Sequence, residues 1–467
     1  MLWACILLPR LALDGVLRRR PTEGPLVLVA GAVNARTIVA ANTPAREAGL
    51  RVGQRLTAAQ ALLAQFEALP YEPKLVEHWH RFLAAVAYRY SSEVSLLPHA
   101  IVLEVSRSMG LFGTWPRLES LLRADLDALG FRHRITAAPT AHAAYVLAGI
   151  SDGQAVLTPD SLRHALQRVP LPKSRLPAAA IDALPGMGIR TLGQLLSLPR
   201  DGLRRRLGAE LLLALDRLTG AVPAGLEAYR PPDTFDLRVE LLHEVENIGA
   251  LIFPLRRMTA DLAAYLAGRD GGVQRFTLQL ELRDGGHIEV AVGLLAPERE
   301  AGMLFEVARG RLEQLQLPGP VLALRLKARE LPPFVPAGRD LFDERPANAL
   351  PIEQLRERLR ARLGDRAVHQ LGGTTDPRPE RAQKPAAGVD DWRESSPRPT
   401  WLLERPIPLR GTAPRILSGP ERLETGWWDG GEVCRDYYVV ETSQGQRAWA
   451  FCAPGEQAGW MLQGWFA

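Results

Sequence analysis

The sequence predicts an α/β protein of several domains, with a small β-rich module at its C-terminal end. At 467 residues the chain is too long for one ordinary core, so roughly three to four domains are expected. Over residues 1–165 short apolar runs alternate with helical periods. Residues 235–332 then show the order strand, helix, strand, strand, helix, strand, which is typical of a split βαβ sandwich.

The first region contains the clearest short elements. The apolar runs Ala4–Leu8, Leu26–Ala30 and Ile101–Val105 are predicted strands, while Ala58–Phe66 and His78–Tyr90 have helical periodicity. A further helix over 117–129 and a strand in the following RITAAP repeat the alternation. This region is therefore predicted to be mixed α/β.

Composition divides the rest of the chain. Residues 166–230 are rich in Leu and Arg and are predicted to be helical, and 365–400 are polar and Pro-rich, as in a linker. The predicted domains are 1–165, 166–232, 233–345, 346–400 (an amphipathic helix and the linker) and 401–467 (an aromatic, β-rich interaction module).

Charge and cysteine content restrict the class of protein. The net charge is +5, and residues 166–220 contain nine basic against four acidic residues, which is compatible with nucleic acid binding. Three scattered cysteines are too few for a disulfide framework or a tetrahedral zinc site. The apolar N-terminal stretch is short and is followed by its arginines, unlike a signal peptide or a membrane span. We expect a cytoplasmic protein with no metal, no cofactor and no membrane association.

Residues 36–61, RTIVAANTPAREAGLRVGQRLTAAQA, resemble the nucleotide-side segment of Y-family DNA polymerases, the translesion class. Within that family the chain is most similar to the non-catalytic ImuB group, to whose tail RPTWLLERPIPL and GWWDGGEVCRDYYVV are also similar. The resemblance implies a polymerase-like palm and fingers in 1–165, a thumb with a helix-hairpin-helix in 166–232 and a little finger in 233–345.

The acidic residues of such a polymerase are missing at their expected positions. Two-metal phosphoryl transfer needs carboxylates that hold two divalent ions about 4 Å apart. Active relatives open with a strand ending in Asp-x-Asp, where this chain has Cys5 and Leu7. Their second motif, Ser-Leu-Asp-Glu, aligns its acidic pair either with Leu97–Pro98 or with His99–Ala100. Neither alignment supplies a carboxylate.

Three other carboxylates are the nearest substitutes in the sequence: Asp14, Glu93 and Glu104. If they converged in the fold, the chain would be an active Y-family translesion polymerase with relocated metal ligands. This is the alternative function. It is distinguished from the non-catalytic one by whether these carboxylates lie within reach of a shared metal in the folded chain.

The motif that contacts the nucleotide triphosphate in Y-family polymerases is only partly kept. Relatives have Tyr in Ala-Asn-Tyr-x-Ala-Arg, where this chain has Thr43, while Arg46 is kept. Arg46 either binds phosphate through a bidentate contact or forms a salt bridge that supports the fold. Thr43 and Arg46 are therefore vestigial nucleotide-binding positions.

The segment Leu184–Ile189, LPGMGI, lies between predicted helices at 177–183 and 191–197 and resembles a helix-hairpin-helix. Its glycines would let backbone amides approach a phosphate without reading base sequence. The alternative is a tight turn between packed helices with a solvated basic face. The predicted DNA-binding residues are Gly186, Gly188, Ile189, Arg190, Lys173, Arg175, Arg204, Arg205 and Arg206.

Residues 338–342, GRDLF, resemble a sliding-clamp ligand of the form Gln-Leu-(Ser/Asp)-Leu-Phe. Asp340, Leu341 and Phe342 match that form, whereas Gly338 and Arg339 depart from it. In such ligands two apolar anchors enter a surface pocket. Alternatively, the two apolar side chains pack back against the little finger.

Other contacts to partner proteins are expected further along the chain. The resemblance implies that the tail binds a RecA-like protein of the ImuA type and an error-prone, replicative-type DNA polymerase. The tail aromatics are either interface anchors or an ordinary core. The charged amphipathic helix Leu350–Leu363 is a second possible docking element.

Taken together, these features predict an adaptor shaped like a polymerase rather than an enzyme. It would bind primer-template or damaged DNA without sequence preference, dock to the sliding clamp and recruit the proteins that perform error-prone synthesis. A third hypothesis, a regulatory protein that binds no DNA, predicts a neutral or occluded groove between thumb and little finger.

Overall fold

The computed structural model describes residues 1–334, 352–364, 367–368, 371–373, 376–381, 383–385 and 398–466. The chain divides into two compact units, Met1–Arg362 and Leu363–Ala467. Among the helices in these ranges, none combines the length and the apolar character that crossing a bilayer requires.

The N-terminal part of the first unit alternates strands and helices as predicted. The strands are β1 Trp3–Leu7, β2 Leu26–Ala30, β3 Thr37–Ala41, β4 Glu67–Pro70, β5 Val94–Leu97, β6 Ala100–Glu104 and β7 Arg134–Ala138. The helices are α1 Leu11–Arg19, α2 Thr43–Glu47, α3 Leu56–Leu62, α4 Pro73–Ala87, α5 Met109–Phe112, α6 Trp115–Ala128 and α7 Ala141–Ala148.

Strand β1 lies at the centre of a four-stranded antiparallel sheet of order β5-β6-β1-β7. Because successive side chains of a strand point to opposite faces, β1 contributes to two cores. Ala4 and Ile6 pack in the cluster that contains Trp79 of α4, while Cys5 and Leu7 pack in the cluster that contains α7. A second sheet, β3-β2-β4, includes the parallel pair β2 and β4.

Helix α3 differs from its prediction. The sequence predicts a helix over Ala58–Phe66, but α3 ends at Leu62 because Leu63 is extended, with φ of −135° and ψ of 117°. Shortly afterwards the chain enters β4, whose Glu67 pairs with Leu26 of β2. Tertiary strand pairing therefore overrides the helical periodicity at this point.

A helical region follows. Its helices are α8 Pro159–Gln167, α9 Ala178–Ala183, α10 Leu192–Leu196 and α11 Arg200–Thr219. Helix α11 is broken at Gly208, whose φ of 87° and ψ of 172° are not helical. The buried leucines of these helices share one core with Cys5, Leu7 and α7.

The split βαβ order predicted for 235–332 is confirmed. The elements are β8 Phe235–Val245, α12 Ile248–Gly268, β9 Val273–Leu282, β10 His287–Glu298, α13 Ala301–Glu313 and β11 Val321–Ala328, followed by α14 Ile352–Leu363. The sheet is antiparallel in the order β10-β9-β11-β8. Its buried face packs on α12 and α13 within a core that also includes residues of β1 and α4.

Helix α12 packs closely on α4. A Cβ atom added at Gly268 would lie 1.9 Å from the carbonyl oxygen of Ala85, so only glycine fits this crossing. Nearby, Arg18 of α1 and Asp261 of α12 form an ion pair whose side chains are 4% and 3% exposed. These contacts join segments that are far apart in the sequence.

The second unit is β-rich, as predicted for the C-terminal region. Its strands are β12 Leu371–Gly373, β13 Gln383–Pro385, β14 Trp401–Pro408, β15 Arg415–Thr425, β16 Val433–Glu441, β17 Arg447–Cys452 and β18 Met461–Trp465. The last five form an antiparallel sheet of order β14-β18-β17-β16-β15 with its own apolar cluster around Val440, Ala450 and Leu462. The α/β multidomain class is confirmed, whereas the five domain boundaries stay a prediction.

Candidate nucleic-acid interface and degenerate catalytic positions

The two positions expected for the first acidic motif lie on one face of β1. Cys5 is fully buried and Leu7 is nearly so, and both pack with Ala100 and Val102 of β6 and Ala144 of α7. Burial raises the pKa of the Cys5 thiol far above its ordinary range. A neutral thiol and a leucine in an apolar core offer no ligand to a hard cation.

The residues that align with the second acidic motif lie next to Leu7, at a place that we call the Leu7–Ala100 corner. Leu97 ends β5, Ala100 begins β6, and Pro98 and His99 form the turn between them. Ala100 pairs directly with Leu7, and the carbonyl oxygen of His99 accepts a hydrogen bond from Leu8 N at 2.8 Å. The fold therefore brings together the positions that align with the two acidic motifs. At the second motif these positions hold leucine, proline, histidine and alanine, where an active relative has carboxylates.

Tyr145 and Arg175 lie beside this corner. Tyr145 Oη donates to Pro98 O at 2.8 Å, and the Arg175 guanidinium carbon lies 4.6 Å from the centre of the Tyr145 ring. The Arg175 charge also acts on the Cys5 thiol, although burial outweighs it. The sequence assigned Arg175 to DNA and missed Tyr145, which is the one aromatic residue of an alanine-rich helix.

The three substitute carboxylates do not converge at the corner. Glu104 pairs with Trp3, at the other end of β1 from Leu7, and accepts hydrogen bonds from Ser106 N at 3.0 Å and from Ser106 Oγ. Glu93 forms an ion pair of 2.7 Å with Arg107. Among the residues that the structure describes, no group of three His, Cys, Asp or Glu side chains is arranged to hold a metal.

Asp14 lies on the opposite side of the sheet. It belongs to α1, where Gly15 packs against the ring of Trp79 in the cluster on the Ala4 and Ile6 face. Its Oδ2 accepts a hydrogen bond from Arg132 N at 2.9 Å. Burial raises its pKa to about 6, which the Arg132 amide only partly offsets.

We expect Asp14 to make stability depend on pH. When the pKa of a carboxyl group is higher in the folded state, its protonation favours the fold. This contribution is fully present below the pKa of the unfolded chain, about 4, and is lost as pH rises through about 6. Asp14→Asn keeps an acceptor for Arg132 N, so the variant is expected to be about 2 kcal/mol more stable than wild type at pH 7 and equal to it at pH 4. Urea unfolding at both pH values measures this, and the same difference at both would contradict it.

Thr43 and Arg46, which the sequence predicts to be vestigial nucleotide-binding positions, belong to α2. Asn42 caps the helix by accepting from Ala45 N at 2.9 Å. Arg46 Nη2 and Arg10 Nη1 both donate to Thr43 Oγ1, at 3.2 and 3.3 Å. Within the described ranges, Arg46 bonds oxygen atoms of Asn42 and Thr43 rather than a carboxylate. The geometry therefore does not support the salt-bridge interpretation of Arg46, and the sequence missed Arg10.

The LPGMGI segment forms a tight turn between α9 and α10. Leu184 and Ile189 are buried, whereas Gly186 and Gly188 are exposed, and Gly188 has a φ of 79° that favours glycine. The amides of Gly188 and Ile189 donate to the carbonyl oxygens of Pro185 and Leu184, and Arg190 N donates to Gln194 Oε1 at 2.7 Å. A phosphate at this turn would meet amides that already have acceptors in the protein.

The basic side chains around this turn are more available than its amides. Arg204, Arg205 and Arg206 occupy consecutive exposed positions of α11, while Leu203 anchors the helix in the core. Lys173 and Arg190 are exposed as well. In the described part of the chain these five cations have no ion pair, in contrast to Arg200, which pairs with Asp216 at 2.7 Å. Their role in DNA binding stays a prediction.

On the open face of the β10-β9-β11-β8 sheet, two arginines form ion pairs with acidic side chains. Arg238 pairs with Glu281 at 2.7 Å, and Arg325 pairs with Asp236 at 2.6 Å through two bonds. The positive charge of these arginines is therefore largely neutralised within the sheet. In the described part of the chain, no such ion pair is formed by Arg204–Arg206 on α11 or by Lys173 and Arg190 near the LPGMGI turn.

The aromatic residues of the second unit divide into two classes. Trp449, Trp460 and both Tyr437 and Tyr438 are buried, which supports the core interpretation for them. Trp427 and Trp428, by contrast, are 74% and 58% exposed and contact each other edge to face. The buried Arg378, bonded to Asp376 and Asp429, lies over the Trp428 ring. The predicted clamp residues Asp340, Leu341 and Phe342 lie outside the described residues.

Comparison with known proteins places this geometry in context. The impB/mucB/samB family model matches residues 14–149. Protein ImuB of Caulobacter vibrioides, from strains NA1000 / CB15N and ATCC 19089 / CIP 103742 / CB 15, is 27% identical over 456 residues, which is 90% of this chain and 100% of that protein. These two matches confirm the resemblance found in the sequence.

Solved structures of Y-family polymerases align with lower similarity. A chimera of the Y-family DNA polymerases Dbh and Dpo4 has 15% identity and a TM-score of 0.43, over 70% of this chain and 98% of that chain. DinB from Sulfolobus solfataricus has 15% identity and a TM-score of 0.40, over 72% of this chain and 100% of that chain.

Proposed function

We propose that this chain is a non-catalytic, polymerase-like adaptor in error-prone translesion DNA synthesis after DNA damage, as in an SOS response. One observation carries the proposal. The residues that align with the two acidic motifs meet at the Leu7–Ala100 corner, where Cys5 and Leu7 are buried in an apolar core that also contains Tyr145. Since two-metal phosphoryl transfer requires carboxylates at such a place, the corner is built for packing rather than for chemistry.

The alternative, an active polymerase with relocated carboxylates, has less support. Asp14 is separated from the corner by the sheet, and Glu104 lies at the far end of β1. Each of these two carboxylates already accepts hydrogen bonds from protein groups. Moving them to a shared metal would require rearrangement of the central sheet.

Primer extension by the purified chain distinguishes the two functions. We expect no nucleotide incorporation with Mg²⁺ or Mn²⁺ on undamaged or abasic templates, in samples where the same protein binds the DNA. Asp14→Asn and Glu104→Gln serve as matched variants, because both keep hydrogen-bonding groups. Incorporation by wild type that either variant abolishes would mean that the metal site has been rebuilt, and the adaptor proposal would be wrong.

DNA binding by the adaptor is proposed to use the cations of α11 and the turn that precedes it. Unpaired, exposed arginines attract phosphates without reading bases, and this attraction weakens as salt rises. The paired charges of the β10-β9-β11-β8 sheet supply less of it. We therefore assign nonspecific contact with primer-template or damaged DNA mainly to Lys173, Arg190 and Arg204–Arg206.

Docking to a sliding clamp is proposed through Asp340, Leu341 and Phe342. Two apolar anchors on an extended segment supply most of the affinity of such ligands. Leu341→Ala with Phe342→Ala is therefore expected to lower affinity for the purified clamp by at least about a hundred-fold. Surface plasmon resonance with immobilised clamp measures this affinity. A control substitution must be at an exposed leucine, which excludes the nearby buried Leu331.

An exposed leucine outside the 338–342 segment provides a better control for clamp binding. Leu322 is 38% exposed on β11, so Leu322→Ala removes a comparable apolar side chain and leaves the sequence of 338–342 unchanged. We expect this variant to bind the clamp as wild type does. If the Leu341→Ala, Phe342→Ala variant also binds normally, the clamp site lies elsewhere in the chain.

The second unit is proposed to recruit the partners: a RecA-like protein of the ImuA type and an error-prone, replicative-type polymerase. Among the described residues, Trp427 and Trp428 are, together with Trp401, tryptophans that the core leaves exposed, and exposed tryptophans are enriched among interface anchors. The buried Arg378 pairs with Asp429 at 2.7 Å and holds this loop, so the two rings are presented on a fixed support.

A further inference from the structure

Helix α14 is attached to the first unit by its polar and small side chains. Ala361 is 2% exposed and packs closely on Gly310 of α13, where an added Cβ atom would lie 3.1 Å from the Ala361 Cβ. Gln314 Nε2 donates to Ala361 O at 2.9 Å, and Gln354 Nε2 donates to Glu298 Oε2 at 3.0 Å. The inner face of the helix is therefore occupied.

The opposite face of α14 is apolar and exposed. Ile352, Leu355 and Leu359 are 62%, 41% and 40% exposed, and their spacing of three and four residues places them in one row. A helix on a protein surface normally turns its apolar row toward the core. Here the row points to solvent while Glu357, a charged residue, is 4% exposed.

Arginines border this row on both sides. At about 100° per residue, Arg356 lies on one side of the row and Arg358 and Arg362 lie on the other. Of the α14 side chains that the structure describes, Glu357 alone is acidic, and it faces the protein. The solvent-facing surface is thus an apolar row with positive edges, which we call the α14 face.

We propose that the α14 face binds an amphipathic helix of a partner protein, with an apolar row flanked by acidic side chains. Apolar rows pack in this way when two helices lie side by side, and charges beside the row select the partner. A second copy of this chain would bring arginine rows against each other, which like-charge repulsion disfavours. A nucleic acid would contact the arginines but leave the central leucines in water. The proposal goes beyond the proposed function and requires neither DNA nor clamp binding.

A synthetic peptide pair tests the charge and the apolar row separately. The probe is a fluorescein-labelled helical peptide of about 20 residues with a leucine row flanked by glutamates, and its matched peptide has lysines at the flanking positions. In fluorescence anisotropy with the full chain, we expect the glutamate peptide to bind at least about tenfold more tightly than the lysine peptide.

Two variants of the protein complete the test. Leu355→Gln with Leu359→Gln is expected to lower affinity for the glutamate peptide at least about tenfold. Arg358→Glu with Arg362→Glu should reverse the preference, so that the lysine peptide binds better. Leu111→Gln, at a leucine that is 81% exposed on α5, is the matched control and should leave binding unchanged. Circular dichroism checks that each variant folds.

Five outcomes would overturn the proposal. Equal binding of both peptides, or unchanged binding by the leucine variant, would mean that the row and its arginines select nothing. Self-association in sedimentation velocity that Leu355→Gln with Leu359→Gln abolishes would identify a second copy as the occupant. Loss of duplex DNA binding in the same variant would identify a nucleic acid. Absence of peptide binding, together with a lower thermal midpoint for that variant, would mean that another segment of this chain covers the face.

Discussion

Replacing Arg204, Arg205 and Arg206 with alanine is expected to lower affinity for primer-template DNA by about a hundred-fold or more at 0.1 M salt. Each phosphate contact that a protein makes releases counterions, so the slope of log affinity against log salt changes by about 0.9 per contact on duplex DNA. Three lost contacts should make the slope shallower by about 2.7. Anisotropy titrations at several salt concentrations measure both the affinity and the slope.

A charge-matched control separates a local contact from the effect of net charge. Arg81, Arg309 and Arg415 each pair with a glutamate on the surface, at 2.7, 3.0 and 3.7 Å. Alanine at these three positions changes net charge by the same amount as in the α11 variant. If both triple variants lose the same affinity, the contact is not on α11. If neither loses affinity, the DNA contact does not depend on these arginines, whereas absence of DNA binding by wild type would support the hypothesis of a protein that binds no DNA.

Asp261→Ala is expected to destabilise the first unit by about 3–5 kcal/mol. The substitution leaves the guanidinium of Arg18, which is 4% exposed, without its carboxylate. The guanidinium would keep its positions over the rings of Trp79 and Phe131, at 5.1 and 4.9 Å, which cannot replace a charge partner. Urea unfolding followed by circular dichroism gives the change in midpoint.

The matched control removes both charges of this pair. Replacing a buried ion pair with apolar side chains of similar volume is often neutral or stabilising. Arg18→Met with Asp261→Leu is therefore expected to lose much less stability than Asp261→Ala alone. Equal losses in the single and double variants would show that the pair acts through packing rather than charge.

Short elements with a clear period were predictable from local sequence. Strand Leu26–Ala30 has the predicted bounds, and the order of elements from Phe235 to Ala328 is the predicted one. Such segments are apolar runs bounded by turn residues, so local preference and burial agree. Helix α3 shows the limit, because pairing of β4 with β2 ends the helix before its periodicity does.

The candidate site was predictable in part. The sequence located Cys5, Leu7 and the 97–100 segment, and the fold brings them to one corner. It did not predict Arg10 at Thr43 or Tyr145 at Pro98, whose partners lie 33 and 47 residues away in the chain. Such contacts carry no periodicity and follow no local motif, so only folding reveals them.

What the sequence by itself determined is the absence of carboxylates at the positions that the resemblance aligns with the acidic motifs of Y-family polymerases, since residue identity decides ligand chemistry. The tertiary structure alone decided which side chains were left available. It buried Trp449 and Trp460 but exposed Trp427 and Trp428, paired Arg18 with Asp261 across 243 residues, and turned the leucines of α14 outward. The physical reason is that burial depends on which distant segments pack together, and a local pattern of apolar residues is compatible with more than one such packing.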